Sequence, residues 1–203
     1  MNWVDRIFLL GTGLIAIYLL SLFLKEYMRT KNNWNLYYFT SFTVLTISGL
    51  LLIALGYGVL KSPIVVIVAA LIPLSLSTGL VEEYFQQYNK PYLLFVVIGF
   101  LLLSITRFVG PHLISTIILA AVHSVAGLTI FFLPLLLVKK NRVRKDFAWI
   151  TVGGTLIGIG GISLAFLKVG APILSAEIIF TILAPVLFLM TVSFAVGFKS
   201  GLR

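Results

Sequence analysis

No cysteine occurs anywhere in the 203 residues, which excludes disulfides, thiolate metal sites, iron–sulfur clusters and cysteine nucleophiles. Charge is almost as scarce. Aspartate and glutamate together number 6, lysine and arginine 15, and charged residues make up only 10% of the chain. No aspartate falls inside an apolar run, so the paired carboxylates or nucleophile–base pairs of hydrolysis and group transfer have little to be built from, and an enzymatic role is not expected. Histidine occurs twice, too few for a site needing three or four converging metal ligands. What fills the chain instead is hydrocarbon: 60% of residues are hydrophobic and the mean hydropathy is +1.13, outside the range of water-soluble domains. The chain reads as an integral membrane protein.

The apolar runs cover 7–24, 36–60, 62–81, 91–107, 111–138, 147–167 and 169–198, the last interrupted only by Glu177. Each reaches or nearly reaches the ~20 residues that cross the hydrocarbon core as a helix. A transmembrane strand would alternate apolar and polar residues over ~10 positions. These runs are apolar on every face, so helices are the way their backbone groups can be satisfied in lipid. The expected fold is an all-α bundle of seven transmembrane helices over residues 1–203, a single domain with short linkers that force successive helices to run antiparallel. Asp5 and Arg6 precede the first run and no small-residue cleavage pattern follows it, so that run reads as a retained helix rather than a signal peptide.

The position of the charges sets the orientation. With the N-terminus outside, the inner segments hold Lys25, Arg29, Lys31, Lys90, Lys139, Lys140, Arg142, Arg144, Lys145, Lys199 and Arg203, eleven basic residues against four outside, Arg6, Lys61, Arg107 and Lys168. The positive-inside rule then gives an outer N-terminus and an inner C-terminus, in a multi-pass protein of the cell membrane. The net charge of +9 could suggest nucleic acid, but no basic domain or stacking platform accompanies it. The run Lys139, Lys140, Arg142, Arg144 and Lys145 is expected to rest on anionic lipid headgroups instead.

Prolines mark the helices in two ways. Pro63, Pro91, Pro111 and Pro172 stand at helix starts, where a missing N–H costs nothing. Pro73, Pro134 and Pro185 fall inside helices 3, 5 and 7 and are expected to kink them, as fixed bends or as hinges. Helix 6 carries Gly154, Gly158, Gly161 and Ala165 on one stripe, a surface for close approach of a neighbouring helix or of a second copy of the chain. Sliding the chain by 115 places Lys25, Arg29 and Trp34 on Lys140, Arg144 and Trp149, and a shift of 112 aligns the segments around Pro73 and Pro185. That pattern suggests a 3+1+3 duplication with helix 4 as the inverting linker. In layout it resembles the SWEET-type sugar carriers and the microbial rhodopsins. It has neither the Pro-Gln signature of the former nor the mid-helix-7 lysine of the latter, since Lys168 and Lys199 flank that helix.

Four residues are candidates for chemistry. His123 lies twelve residues into helix 5, ~18 Å down at a rise of ~1.5 Å per residue, where a charged ring would be costly and a paired neutral imidazole is expected. His112 lies eleven residues earlier on nearly the same face. The pair resembles the haem ligands of membrane b-type cytochromes, which implies at most one haem b, held by His123 alone or with a partner subunit. Glu177, the acid inside the last run, is expected to face the bundle and pair with Arg107 or His112. Glu82 and Glu83 are expected to be solvated charges at the end of helix 3. The leading reading is a carrier or sensor whose outward-facing polar cavity is lined by Glu177, His123, Arg107 and His112 and passes or binds a small solute or proton. The alternative is an accessory or haem-carrying subunit of a larger membrane complex, such as a respiratory one. Tags at the two chain ends should be reached from opposite faces of the bilayer, and finding both on one face would overturn the odd number of crossings.

Overall fold

The computed structural model describes residues 1–168 and 174–201, with the side chains of His112, Ala165, Phe166 and Lys168 outside the described set. Among these residues there are seven long helices and no strand: α1 (Trp3–Thr30), α2 (Trp34–Leu55), α3 (Pro63–Tyr84), α4 (Asn89–Val109), α5 (His112–Lys139), α6 (Trp149–Lys168) and α7 (Ala176–Gly201). Every one is long and apolar enough to cross a membrane. Their sides carry exposed aliphatic residues, Ile7, Leu14, Leu101 and Leu113 among them. Water would penalise such a surface; lipid does not.

Local chemistry explains most boundaries. Asn2 caps α1 in a reciprocal capping box with Asp5, so the helix starts a turn before the charge-free run. Gly56, at φ +69°, ends α2 five residues early and passes the chain into a 3₁₀ turn at Tyr57–Lys61. Pro172, expected to open the last helix, lies outside the described residues, and α7 is described from Ala176.

Six helices close a ring in the order α1, α2, α3, α5, α6, α7, with α7 packing back against α1. Helix α4 is left outside, in the groove between α3 and α5. Phe8 and Gly11 lie beside Phe188 while Phe23 lies beside Phe198, so α1 and α7 run parallel. The position of α4 also explains α3, which has neighbours in α2, α4 and α5 and is buried without a break from Ile72 to Val81. In α4 itself only Gly99 and Leu103 are buried.

Lipid offers no hydrophobic force between helices, so the seams rely on close approach and hydrogen bonds. Most hydroxyls in the helices bond back to their own preceding turn, as Thr78 Oγ1 does to the Leu74 carbonyl at 2.7 Å. Two cross between helices near the internal prolines. Ser41 Oγ donates to the Ile72 carbonyl at 2.9 Å, one residue before Pro73, and Thr151 Oγ1 donates to the Phe131 carbonyl at 2.8 Å, three before Pro134. Pro185 lies within α7.

The glycine stripe of α6 is only partly used. A Cβ on Gly154 would come within 2.7 Å of Ile130 on α5, but Gly158 and Gly161 meet nothing within 4 Å, and the Ala165 side chain is outside the described set. The tight contacts with α7 come from other positions, Gly153 against Phe194 and Gly197 against Ile150. A Cβ at Gly197 would lie 2.8 Å from the Ile150 backbone nitrogen, which cannot move aside. Gly197→Ala should therefore lower the melting temperature, overpacking at ~1–3 kcal/mol exceeding the ~1 kcal/mol gained in helix propensity. Gly161→Ala should leave it unchanged or slightly raised.

Candidate functional site

A cavity of about 330 Å³ opens at the end of the bundle that carries the basic loops. Four helix ends and one loop build it. The last turns of α1 bring Glu26 and Arg29, and Lys31 then reverses the chain in the left-handed conformation at φ 57°. The first turns of α2 bring Asn35 and Tyr38, and the end of α3 brings Glu83 and Tyr84. After α5 a second left-handed residue, Asn141 at φ 54°, turns the loop so that Arg142 and Arg144 reach the rim.

Tyr38 is the pivot. Gly79 on α3 makes room for its ring, since a Cβ there would lie 2.5 Å from ring carbon. One turn later, on the same face of α3, Glu83 Oε2 accepts the Tyr38 hydroxyl at 2.7 Å. Beneath them the ring of Tyr38 packs at 4.8 Å from Phe23 and 4.7 Å from Phe198, and Phe42 and Phe194 continue the aromatic block into the bundle. This block fills the axis of the ring and floors the cavity.

The charges around the cavity are mostly matched. Arg29 pairs with Glu26 at 2.6 Å, and Arg144 with Asp146 at 3.2 Å. Glu83 and Arg142 have no ion pair among the described residues. The Arg142 guanidinium instead lies 5.8 Å from the Phe85 ring centre and makes a long 3.4 Å bond to the Tyr84 carbonyl, one residue beyond Glu83.

At the opposite end the described residues of α1, α2 and α7 pack together. Leu9, Leu52 and Ala184 join α1, α2 and α7, and the Tyr57 ring stacks on Phe180 at 5.3 Å. The Tyr57 hydroxyl is buried beside the Asp5 carboxylate without a well-formed hydrogen bond. Burial first, and then the Asp5 charge, push its pKa up to about 12.

The candidates Glu177, Arg107 and His123 stand on α7, α4 and α5. Glu177 is exposed on the first turn of α7, a helix that packs on α6 and α1, and has no ion pair to a described residue. Arg107 belongs to α4, on the other side of the ring. His123 bonds its own helix, Nδ1 lying 3.1 Å from the Leu119 carbonyl, so Nδ1 carries the proton and Nε2 the lone pair. Arg107 lies within electrostatic reach of that ring. Opposed pairs Gly99–Val122 and Tyr92–Thr129 fix the antiparallel register of α4 on α5, and extending it sets Arg107 level with Ile114, one residue from Ser115. Arg107 Nε and Ser115 Oγ are both buried without a hydrogen-bond partner among the described residues. The His112 side chain lies outside the described residues. So Arg107 and His123 stand on the adjacent helices α4 and α5, Glu177 stands on α7, and the cavity described above lies at the basic end.

Glu83, expected as a solvated charge, is the acid the cavity is built around. The charge-free run stops at Val81, but α3 continues to Tyr84, and that extra turn carries Glu83 into the bundle. The i, i+4 spacing of Gly79 and Glu83 was the available signal. No family model, curated protein or solved structure matches this chain; its arrangement is what a functional reading has to work from.

The raised Tyr57 value has a definite sign. The fold favours the neutral hydroxyl, so the stability this residue contributes is complete below its unfolded value of 10.0 and is lost as pH rises through about 12. Tyr57→Phe should flatten the alkaline fall in melting temperature of the purified protein, and an unchanged alkaline limb would remove Tyr57 as its source.

Proposed function

We propose that this protein is a carrier that binds a small polar solute in the cavity at its basic end. By the positive-inside rule that end faces the cytoplasm, so the conformation is open inward and closed outward. The observation that carries the reading is the pairing of a mixed-charge cavity, floored by aromatic rings, with an opposite end at which Tyr57, Phe180 and the Leu9 cluster pack together. Its volume is at the lower end of the ~300–1,000 Å³ range of small-molecule pockets.

The ring supports the carrier form of the proposal. Helices α1 to α3 and α5 to α7 act as two three-helix units that meet at two like seams, α3 on α5 and α7 on α1, with α4 as an external linker. The shift that superposes Trp34 on Trp149 sets the first residue of α2 on the first residue of α6. The internal prolines Pro73, Pro134 and Pro185 lie in α3, α5 and α7, all seam helices. Rocking one unit against the other about these seams would open the Tyr57–Phe180 contact, which joins the turn after α2 to α7, and would close the cavity. Arg107 and His123 belong to the α4·α5 pair and steady the linker in this scheme.

The absence of cysteine makes the test clean. Ser200→Cys, in the cavity wall, should react with a membrane-impermeant maleimide from the cytoplasmic side, and Val143→Trp, at the rim, should block that reaction. Phe180→Cys should react from the outer side at a slower rate, as closed molecules open. A Ser200→Cys that no reagent reaches would overturn the cavity as a solute site, and a Phe180→Cys that never reacts would overturn the carrier.

A further inference from the structure

Which solute fits can be argued from the charges that the protein leaves unmatched. Five charged side chains line the cavity: Glu26, Arg29, Glu83, Arg142 and Arg144. Glu26 and Arg29 satisfy one another, and Arg144 is held by Asp146 outside the cavity. One carboxylate, Glu83, and one guanidinium, Arg142, remain without an ion pair among the described residues. They are close in the fold, Arg142 bonding the carbonyl of the residue that follows Glu83, yet they do not form an ion pair with each other.

We propose, on the reading that this cavity is a solute site, that the solute is a zwitterion of amino-acid size, its ammonium held by Glu83 and its carboxylate by Arg142. The Glu83 carboxylate is oriented by the Tyr38 hydroxyl, which leaves lone pairs for an ammonium donor. Phe23, Tyr38, Phe147 and Phe198 line the same space, and their ring faces attract a cation that has left water. Arg142 spends one N–H on a 3.4 Å contact and is otherwise exposed, so its planar fork is available for two-point contact with a carboxylate. A lone cation would leave Arg142 unmatched and opposed. A lone anion would do the same to Glu83. A molecule carrying both charges answers both and enters with no net charge to desolvate into the mouth of a low-dielectric bundle.

The test uses the full chain in lipid nanodiscs, with calorimetry and the fluorescence of Trp34, which lines the cavity. The probes are phenylalanine, phenethylamine as its ammonium half, 3-phenylpropionate as its carboxylate half, and glucose as a neutral polar control. Phenylalanine should bind, with each half-molecule weaker by at least about tenfold, about 1.4 kcal/mol. Glu83→Gln keeps an acceptor for Tyr38 and should weaken phenylalanine and phenethylamine by about tenfold or more while leaving 3-phenylpropionate bound as well or better. Arg142→Gln, at an exposed loop position, should do the reverse. The zwitterion is overturned if glucose or either half binds as well as phenylalanine, if neither variant discriminates, or if no probe binds while Ser200→Cys remains reactive to maleimide. In each of those cases the cavity survives as a solute site. Loss of Ser200→Cys reactivity sinks the cavity itself.

Discussion

The structure depends on one constraint: inside a bilayer a polar group has only the protein to bond with. Helices meet it for the backbone. Side-chain hydroxyls meet it by bonding to carbonyls, usually in their own helix and, at Ser41 and Thr151, across to a neighbour beside a proline. The same constraint removes hydrophobic attraction as a reason for helices to associate, so the seams are made by contact. That is why a glycine recurs at them, Gly11 against Phe188, Gly79 against Tyr38, Gly99 against Val122, Gly154 against Ile130 and Gly197 against Ile150.

Charge is accordingly pushed to the ends, and the two ends are treated differently. At one, Asp5 is spent on capping α1 and Tyr57 and Phe180 close the packing over it. At the other, α1 and α3 run a turn past their charge-free runs, so their last charged residues stand around a space rather than dissolve into a loop. Glu83 is the consequence of that extra turn. Its burial is tolerable because Tyr38 donates to it, and Tyr38 can be there because Gly79 leaves no side chain in its way. A packing contact and a polar site thus share the same three residues. Any substitution that moves the Tyr38 ring alters the electrostatics of the cavity as well as the α2·α3 seam.

The exclusion of α4 is the topological counterpart. A ring of six with one helix outside places the deeply buried α3 between α2, α4 and α5. A ring of seven in sequence order would have given α3 two neighbours and one lipid-facing side. The burial of Ile72 through Val81 on all faces is the trace of this choice.

Much of the fold was legible in the residues because hydropathy over some twenty positions and the placement of Gly and Pro act locally. The number of helices, their near-antiparallel succession and the concentration of basic residues at one end need no knowledge of neighbours. Neighbour relations are another matter. In lipid the inward and outward faces of a helix are equally apolar, so no periodicity told that α4 stands outside the ring, that Gly158 and Gly161 meet nothing while Gly153 and Gly197 are pressed tight, or that Glu177 stands apart from Arg107. The cavity was missed for a related reason: Glu83 looks solvated to any window that ends where the apolar run ends, and only the packing of α3 against Tyr38 decides that its last turn belongs to the bundle. Composition determined the solvent of this protein; contact between helices decided where a polar cavity opens in it.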